Sequence, residues 1–203
     1  MKRLLLASVE IGRLSDLARK SLSNIRLAYI PTAADPYENK WFIDKDRKKL
    51  QELRIPYFEV DIKNKNQNSL RIELKNCDAV FVSGGNSFYL LEKSLESGFD
   101  KVIKELIGKG IIHIGGSAGA CIAGSSLEPI QTLDDPSKAL KLKSFDAFGL
   151  VDFVVLPHFG KEKYLPKYAA ILDKYHQKYK LVKLTDSQAI IVENEKWKIV
   201  TAN

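Results

Sequence analysis

Ser117 stands in the run Gly115-Gly116-Ser117-Ala118-Gly119-Ala120, directly after the largely apolar residues 111–114. A strand that ends in G-x-S-x-G and passes straight into a helix forms a nucleophile elbow. The flanking glycines let the backbone turn sharply enough to lift the hydroxyl clear of the sheet. The residue after the serine opens the helix, so its backbone N–H points toward the place where an acyl oxyanion forms. This spacing supports attack on a carbonyl through a covalent acyl-enzyme. The competing structural reading is a tight strand-to-helix turn with the serine as helix N-cap.

A serine hydroxyl is a weak nucleophile near neutral pH and needs a base within hydrogen-bond reach. The chain holds three histidines. His113 is flanked by Ile112 and Ile114 inside the elbow strand, where a buried, hydrogen-bonded core histidine is expected. His176 lies in a helical stretch among Lys and Gln and is expected on a solvated face. His158 follows the apolar run 153–156 and Pro157, which favours an extended chain. That places the imidazole at a strand end, on the same rim as Ser117, and makes His158 the expected general base.

The carboxylate that would orient the imidazole is less determined. Asp186 lies in a turn between strand-like runs 181–184 and 189–192, and Asp134 and Asp135 lie in the loop after the elbow helix. Asp135 precedes Pro136, an ordinary turn arrangement, and Asp186 ranks slightly ahead. With Asp186 the chain order is Ser, His, Asp, unlike the Ser, Asp, His order of α/β-hydrolases; Asp135 would match that order.

The elements that must position these residues alternate along the chain. Strands are expected over residues 2–8, 26–30, 57–62 and 79–82, and helices over 14–23, 41–53, 70–75, 88–97 and 100–109. Trp41, Phe42, Leu50 and Leu53 are the apolar positions of the second helix, and residues 63–69 read as a polar, exposed loop. This order is the signature of a three-layer α/β fold, a mostly parallel sheet with helices on both faces. Sites in such sheets gather at the carboxyl ends of the strands. Three loops stand out there: Pro31-Thr32-Ala33-Ala34-Asp35, Ser83-Gly84-Gly85-Asn86, and the elbow. The paired glycines bring backbone N–H groups close to a ligand and could supply a second oxyanion donor, while Asn86 reads equally as a helix N-cap.

Composition narrows the class. A chain of 203 residues, 45% hydrophobic and 28% charged, fits one domain, residues 1–203, with a well-filled core. No run approaches the length of a membrane span, and the two cysteines, Cys77 and Cys121, lack metal-ligand spacing and read as buried thiols. The expectation is a cytoplasmic protein with no membrane partner, no cofactor and no metal. The net charge of +7 is spread among acidic residues without a basic stripe, so no nucleic acid partner is expected. Neither G-x-x-x-x-G-K-[ST] nor G-x-G-x-x-G occurs, so a nucleotide fingerprint is missing. An edge near residues 196–201 offers a route to a homodimer.

Taken together, G-G-S-A-G-A at 115–120, Gly84-Gly85-Asn86, Pro157-His158-Phe159 and Ile30-Pro31-Thr32-Ala33 resemble the peptidase E (aspartyl dipeptidase) family of serine peptidases, and more closely its short bacterial paralogues. The resemblance covers nearly the whole chain. It implies a class I glutamine amidotransferase-like fold with serine in place of cysteine. It also implies Ser117 as nucleophile, His158 as base, and the Gly85 and Ala118 N–H groups as oxyanion hole. The family's acid matches either Asp135 or Asp186. Asn86 and Gln131 are the positions expected at the substrate. Gln131 stands where peptidase E has an arginine, and a glutamine cannot grip an aspartyl carboxylate bidentately. The expected substrate is a short peptide or small amide. The alternative is a non-catalytic amidotransferase-like binding module that keeps the elbow as a relic of the fold.

Overall fold

A computed structural model describes residues 1–9 and 11–201. Five strands run parallel: β1 (Arg3–Ala7), β2 (Leu27–Ile30), β3 (Tyr57–Glu59), β4 (Ala79–Val82) and β5 (Ile112–Gly116). Strands β8 (Gln188–Glu193) and β9 (Lys196–Thr201) join antiparallel, giving a seven-stranded sheet in the order β3-β2-β4-β5-β1-β8-β9. A separate two-stranded parallel ribbon pairs β6 (Val154–Leu156) with β7 (Leu181–Lys183).

Alternation along each strand divides its side chains between two cores. Leu4, Leu6, Val80 and Val82 pack on one face, and Leu5, Ala7, Ala79 and Phe81 on the other. The first face is covered by α2 (Gln67–Leu74), α3 (Ser87–Ser97), α4 (Phe99–Gly108), α5 (Ala118–Ala123) and α6 (Leu165–Tyr175); α1 (Trp41–Glu52) lies on the second. The expected three-layer α/β arrangement is therefore present. In α4, Val102, Ile103, Leu106 and Ile107 all turn inward, each such side chain contributing roughly 1.5–3 kcal/mol on burial.

Register brings the rim together. Ala7, the last residue of β1, lies opposite Gly116 on one side and Ala189 on the other. The Ser117 N–H donates to the Ala7 carbonyl at 2.9 Å, and the Ser8 N–H to the Gln188 carbonyl at 3.1 Å. Residues that follow β5 and precede β8 thus meet beside the end of β1.

Several local expectations are corrected. Residues 14–23 form no α-helix but two 3-10 turns, Gly12–Asp16 and Leu22–Asn24. The Arg3 guanidinium takes the Leu17 carbonyl at 2.7 Å, an acceptor that a continuing helix would need. Helix α2 begins at Gln67, inside the expected loop, because Asn66 and Ser69 cap it reciprocally. Trp41 is 64% exposed rather than packed, and α1 buries Ile43 and Leu50. His113 is buried as expected, yet neither ring nitrogen finds a partner among the described residues. Its cross-strand neighbours are Leu4 and Val80. No helix among the described residues is long and apolar enough to cross a membrane.

Candidate active site

Strand β5 delivers Ser117 to the carboxyl rim in a strained conformation, φ 47° and ψ −104°, a region a non-glycine residue rarely occupies. Close packing of α5 against the sheet enforces the turn. A Cβ on Gly119 would lie 2.2 Å from the Val82 carbonyl oxygen, so only glycine fits there. The Ser117 side chain makes no capping bond to α5, which removes the N-cap reading and leaves the hydroxyl for other partners.

Its partner is His158, whose Nε2 lies 2.9 Å from Ser117 Oγ. His158 Nδ1 lies 2.7 Å from Asp186 Oδ1. A carboxylate at that distance favours a ring proton on Nδ1, and in the neutral imidazole Nε2 then faces the serine as an acceptor. Burial raises the Asp186 pKa, but hydrogen bonds from Lys161 and His158 outweigh it and hold the carboxyl below its usual value. Lys161 Nζ reaches Asp186 Oδ2 at 2.6 Å. The Ser8 hydroxyl accepts from the His158 backbone N–H at 2.8 Å and donates to Asp186 Oδ1 at 3.3 Å. Neither Ser8 nor Lys161 belongs to a sequence motif. The one signal for Ser8 is a hydroxyl closing an apolar strand at the rim.

These groups sit in a cleft of about 440 Å³, with Gly84 and Gly85 beside Ser117 and Tyr37, Trp41, Phe42 and Tyr164 along its walls. Gly85 has φ 142°, and a Cβ there would come within 2.1 Å of the Ala33 carbonyl oxygen. Among the described residues the Gly85 and Ala118 N–H groups meet no protein acceptor.

The remaining candidates fall elsewhere. Asp135 caps a 3-10 turn by accepting from the Ser137 N–H at 2.9 Å, and its carboxylate does not approach His158. Asp134 lines the cleft, but its Oδ2 is taken by the Ser87 N–H and hydroxyl at 2.8 and 2.6 Å; burial raises its pKa. Asn86 is corrected from a substrate contact to a buried cap: it accepts from the Tyr89 N–H at 2.9 Å and donates to the Asp135 carbonyl at 2.9 Å. Gln131 also fails to line the cleft, and its amide turns back to the Glu128 carbonyl at 2.9 Å. Cys77 and Cys121 are both buried, and burial lifts the Cys77 thiol to about 11. His176 is exposed at the end of α6.

The sheet order and the serine elbow define a class I glutamine amidotransferase-like fold with a hydroxyl at the nucleophile position. The profile of peptidase family S51 matches residues 9–200, and the chain belongs to that family. It is similar to an uncharacterized peptidase of Listeria innocua, 33% identical over 86% of this chain and 84% of the relative. An uncharacterized peptidase of Pasteurella multocida is 32% identical over 100% of this chain and 99% of its own. A crystal structure from Listeria monocytogenes EGD-e, provisionally named as a peptidase E protein, superimposes with a TM-score of 0.90 at 29% identity, covering 100% of both chains. The chain is a peptidase.

Proposed function

We propose that this peptidase cleaves short peptides through an acyl-enzyme on Ser117, with His158 as general base and Asp186 as the carboxylate that orients it. His158 Nε2 takes the hydroxyl proton as Ser117 Oγ attacks the peptide carbonyl carbon. Asp186 holds Nδ1–H and stabilises the imidazolium. The oxyanion is received between the Gly85 and Ala118 N–H groups. The imidazolium then gives its proton to the leaving amine as the C–N bond breaks. Water, deprotonated by His158, attacks the acyl carbon and frees Ser117.

The observation that carries this reading is the continuous chain from Ser117 Oγ through His158 to Asp186, at 2.9 and 2.7 Å. A cleft of about 440 Å³ suits a short peptide better than a folded chain. The test is covalent labelling by a fluorophosphonate, followed by a panel of dipeptides and acyl-amino-acid amides read by mass spectrometry. Labelling and hydrolysis that vanish together in Ser117→Ala are expected. A folded wild-type protein that takes up no label would refute the mechanism and favour a binding module.

A further inference from the structure

Resting on that mechanism, we propose that Ser8 is a positioning residue that locks the base and its carboxylate to each other and to the end of β1, whose Ala7 carbonyl accepts the Ser117 N–H. Its hydroxyl has one proton and two lone pairs, and both kinds of capacity are used within the site. The oxygen accepts the His158 N–H at 2.8 Å, and the proton goes to Asp186 Oδ1 at 3.3 Å. Ser8 is 1% exposed although it lines the cleft, so its two bonds are shielded from bulk water while Ser8 is in place.

His158 has φ 61°, a left-handed conformation that the local chain does not favour for a non-glycine residue. The bond from its N–H to Ser8 ties that backbone state to the buried end of β1 and so helps aim the ring. Ser8 is itself pinned by the sheet through its N–H to the Gln188 carbonyl. The residue before it accepts the Ser117 N–H. One strand end therefore sets the mutual placement of three side chains that are far apart in sequence.

Lys161 sharpens the need for Ser8. It pulls on the other oxygen of Asp186 at 2.6 Å from a side chain that is 44% exposed. With Ser8 in place, Oδ1 has two donors and stays on the imidazole. Without it, the carboxylate is free to swing toward the ammonium, and the ring loses both its backbone anchor and part of its orientation.

The experiment measures fluorophosphonate labelling rates of Ser117, and kcat and KM on any peptide substrate from the panel, in Ser8→Ala and Ser126→Ala. Ser126 is a second buried serine, bonded to the Phe145 carbonyl and the Glu128 N–H and absent from the cleft lining. A misaligned base costs roughly 10- to 100-fold in rate. The expected result is that fall in labelling rate and kcat for Ser8→Ala, KM within about twofold, and wild-type behaviour for Ser126→Ala. Should Ser8→Ala not fold, Ser8→Cys keeps the side-chain shape with a slightly larger atom, weakens both hydrogen bonds and carries the same expectation. Labelling of Ser8→Ala at the wild-type rate would overturn the inference, as would an equal loss in Ser126→Ala. A wild type that is never labelled would overturn the proposed mechanism itself.

Discussion

Replacing His113 by leucine isolates a pH dependence of stability that the fold builds into β5. The imidazole is fully buried, has Leu4 and Val80 as cross-strand neighbours, and has no partner for either nitrogen among the described residues. Desolvation pushes its pKa down from 6.5 to about 4. Between those values the unfolded chain binds a proton that the native state refuses, so stability falls as pH falls. The contribution is fully retained above pH 6.5 and declines until the folded value near 4 is reached. At 1.36 kcal/mol per unit, the loss over that window is about 3 kcal/mol.

Urea unfolding of wild type and His113→Leu at pH 7, 6, 5 and 4.5 reads this directly. Other titrating groups are common to both proteins and cancel in the difference. His113→Leu removes two unsatisfied polar atoms from an apolar setting, so it is expected to match or exceed wild-type stability at pH 7. Its advantage should then widen by about 1.4 kcal/mol per unit as pH drops below 6.5. Parallel stability curves across the range would refute the argument, because they would mean that the buried imidazole keeps an ordinary proton affinity.

Three further outcomes test the site. Asp186→Asn presents an amide to Nδ1, forces the ring proton toward Ser117, and should lower the labelling rate by about 10⁴; retained activity there with loss in Asp135→Asn would reassign the carboxylate. Gly85→Ala places a methyl on a φ of 142° against the Ala33 carbonyl. The turn must shift, and loss of one oxyanion donor costs ~10²–10³ in kcat, checked by peptide turnover beside circular dichroism. Asn86→Ala loses the cap of α3 and the bond to Asp135, for a destabilisation of about 1–2 kcal/mol in urea. KM should not change, and a raised KM with unchanged stability would restore Asn86 to the substrate.

The parts of the site that were legible in the sequence are those that local chain geometry determines. The elbow is encoded within a few residues by glycines at 115, 116 and 119, and the rim position of His158 by an apolar strand ending in proline. The pairing of His158 with Asp186 rather than Asp135 is only weakly legible, as a slight preference for a strand-end turn, because it depends on how β8 is registered against β1 and on where β7 leaves the ribbon. Ser8 was invisible for the same reason: a serine after an apolar strand is common, and only the neighbours that register supplies give it work. Asn86 shows the converse. Its capping role was written locally, and the substrate role came only from its place in a resembling motif. Over residues 14–23, where a helix is expected, the Leu17 carbonyl instead accepts from Arg3, a partner remote in sequence.

The two central residues of the site share a physical problem and one solution. Ser117 and His158 both occupy positive φ, at 47° and 61°, and such conformations cost of order 1–3 kcal/mol each. A single hydrogen bond contributes about 1 kcal/mol net, too little to hold either residue alone. Their N–H groups donate to consecutive residues of the same segment, the Ala7 carbonyl and the Ser8 hydroxyl. That segment continues a strand whose Leu4, Leu5, Leu6 and Ala7 are completely buried between the two cores. The strain is thus opposed through a segment anchored in the packing of the central sheet, rather than by the loops that carry the side chains.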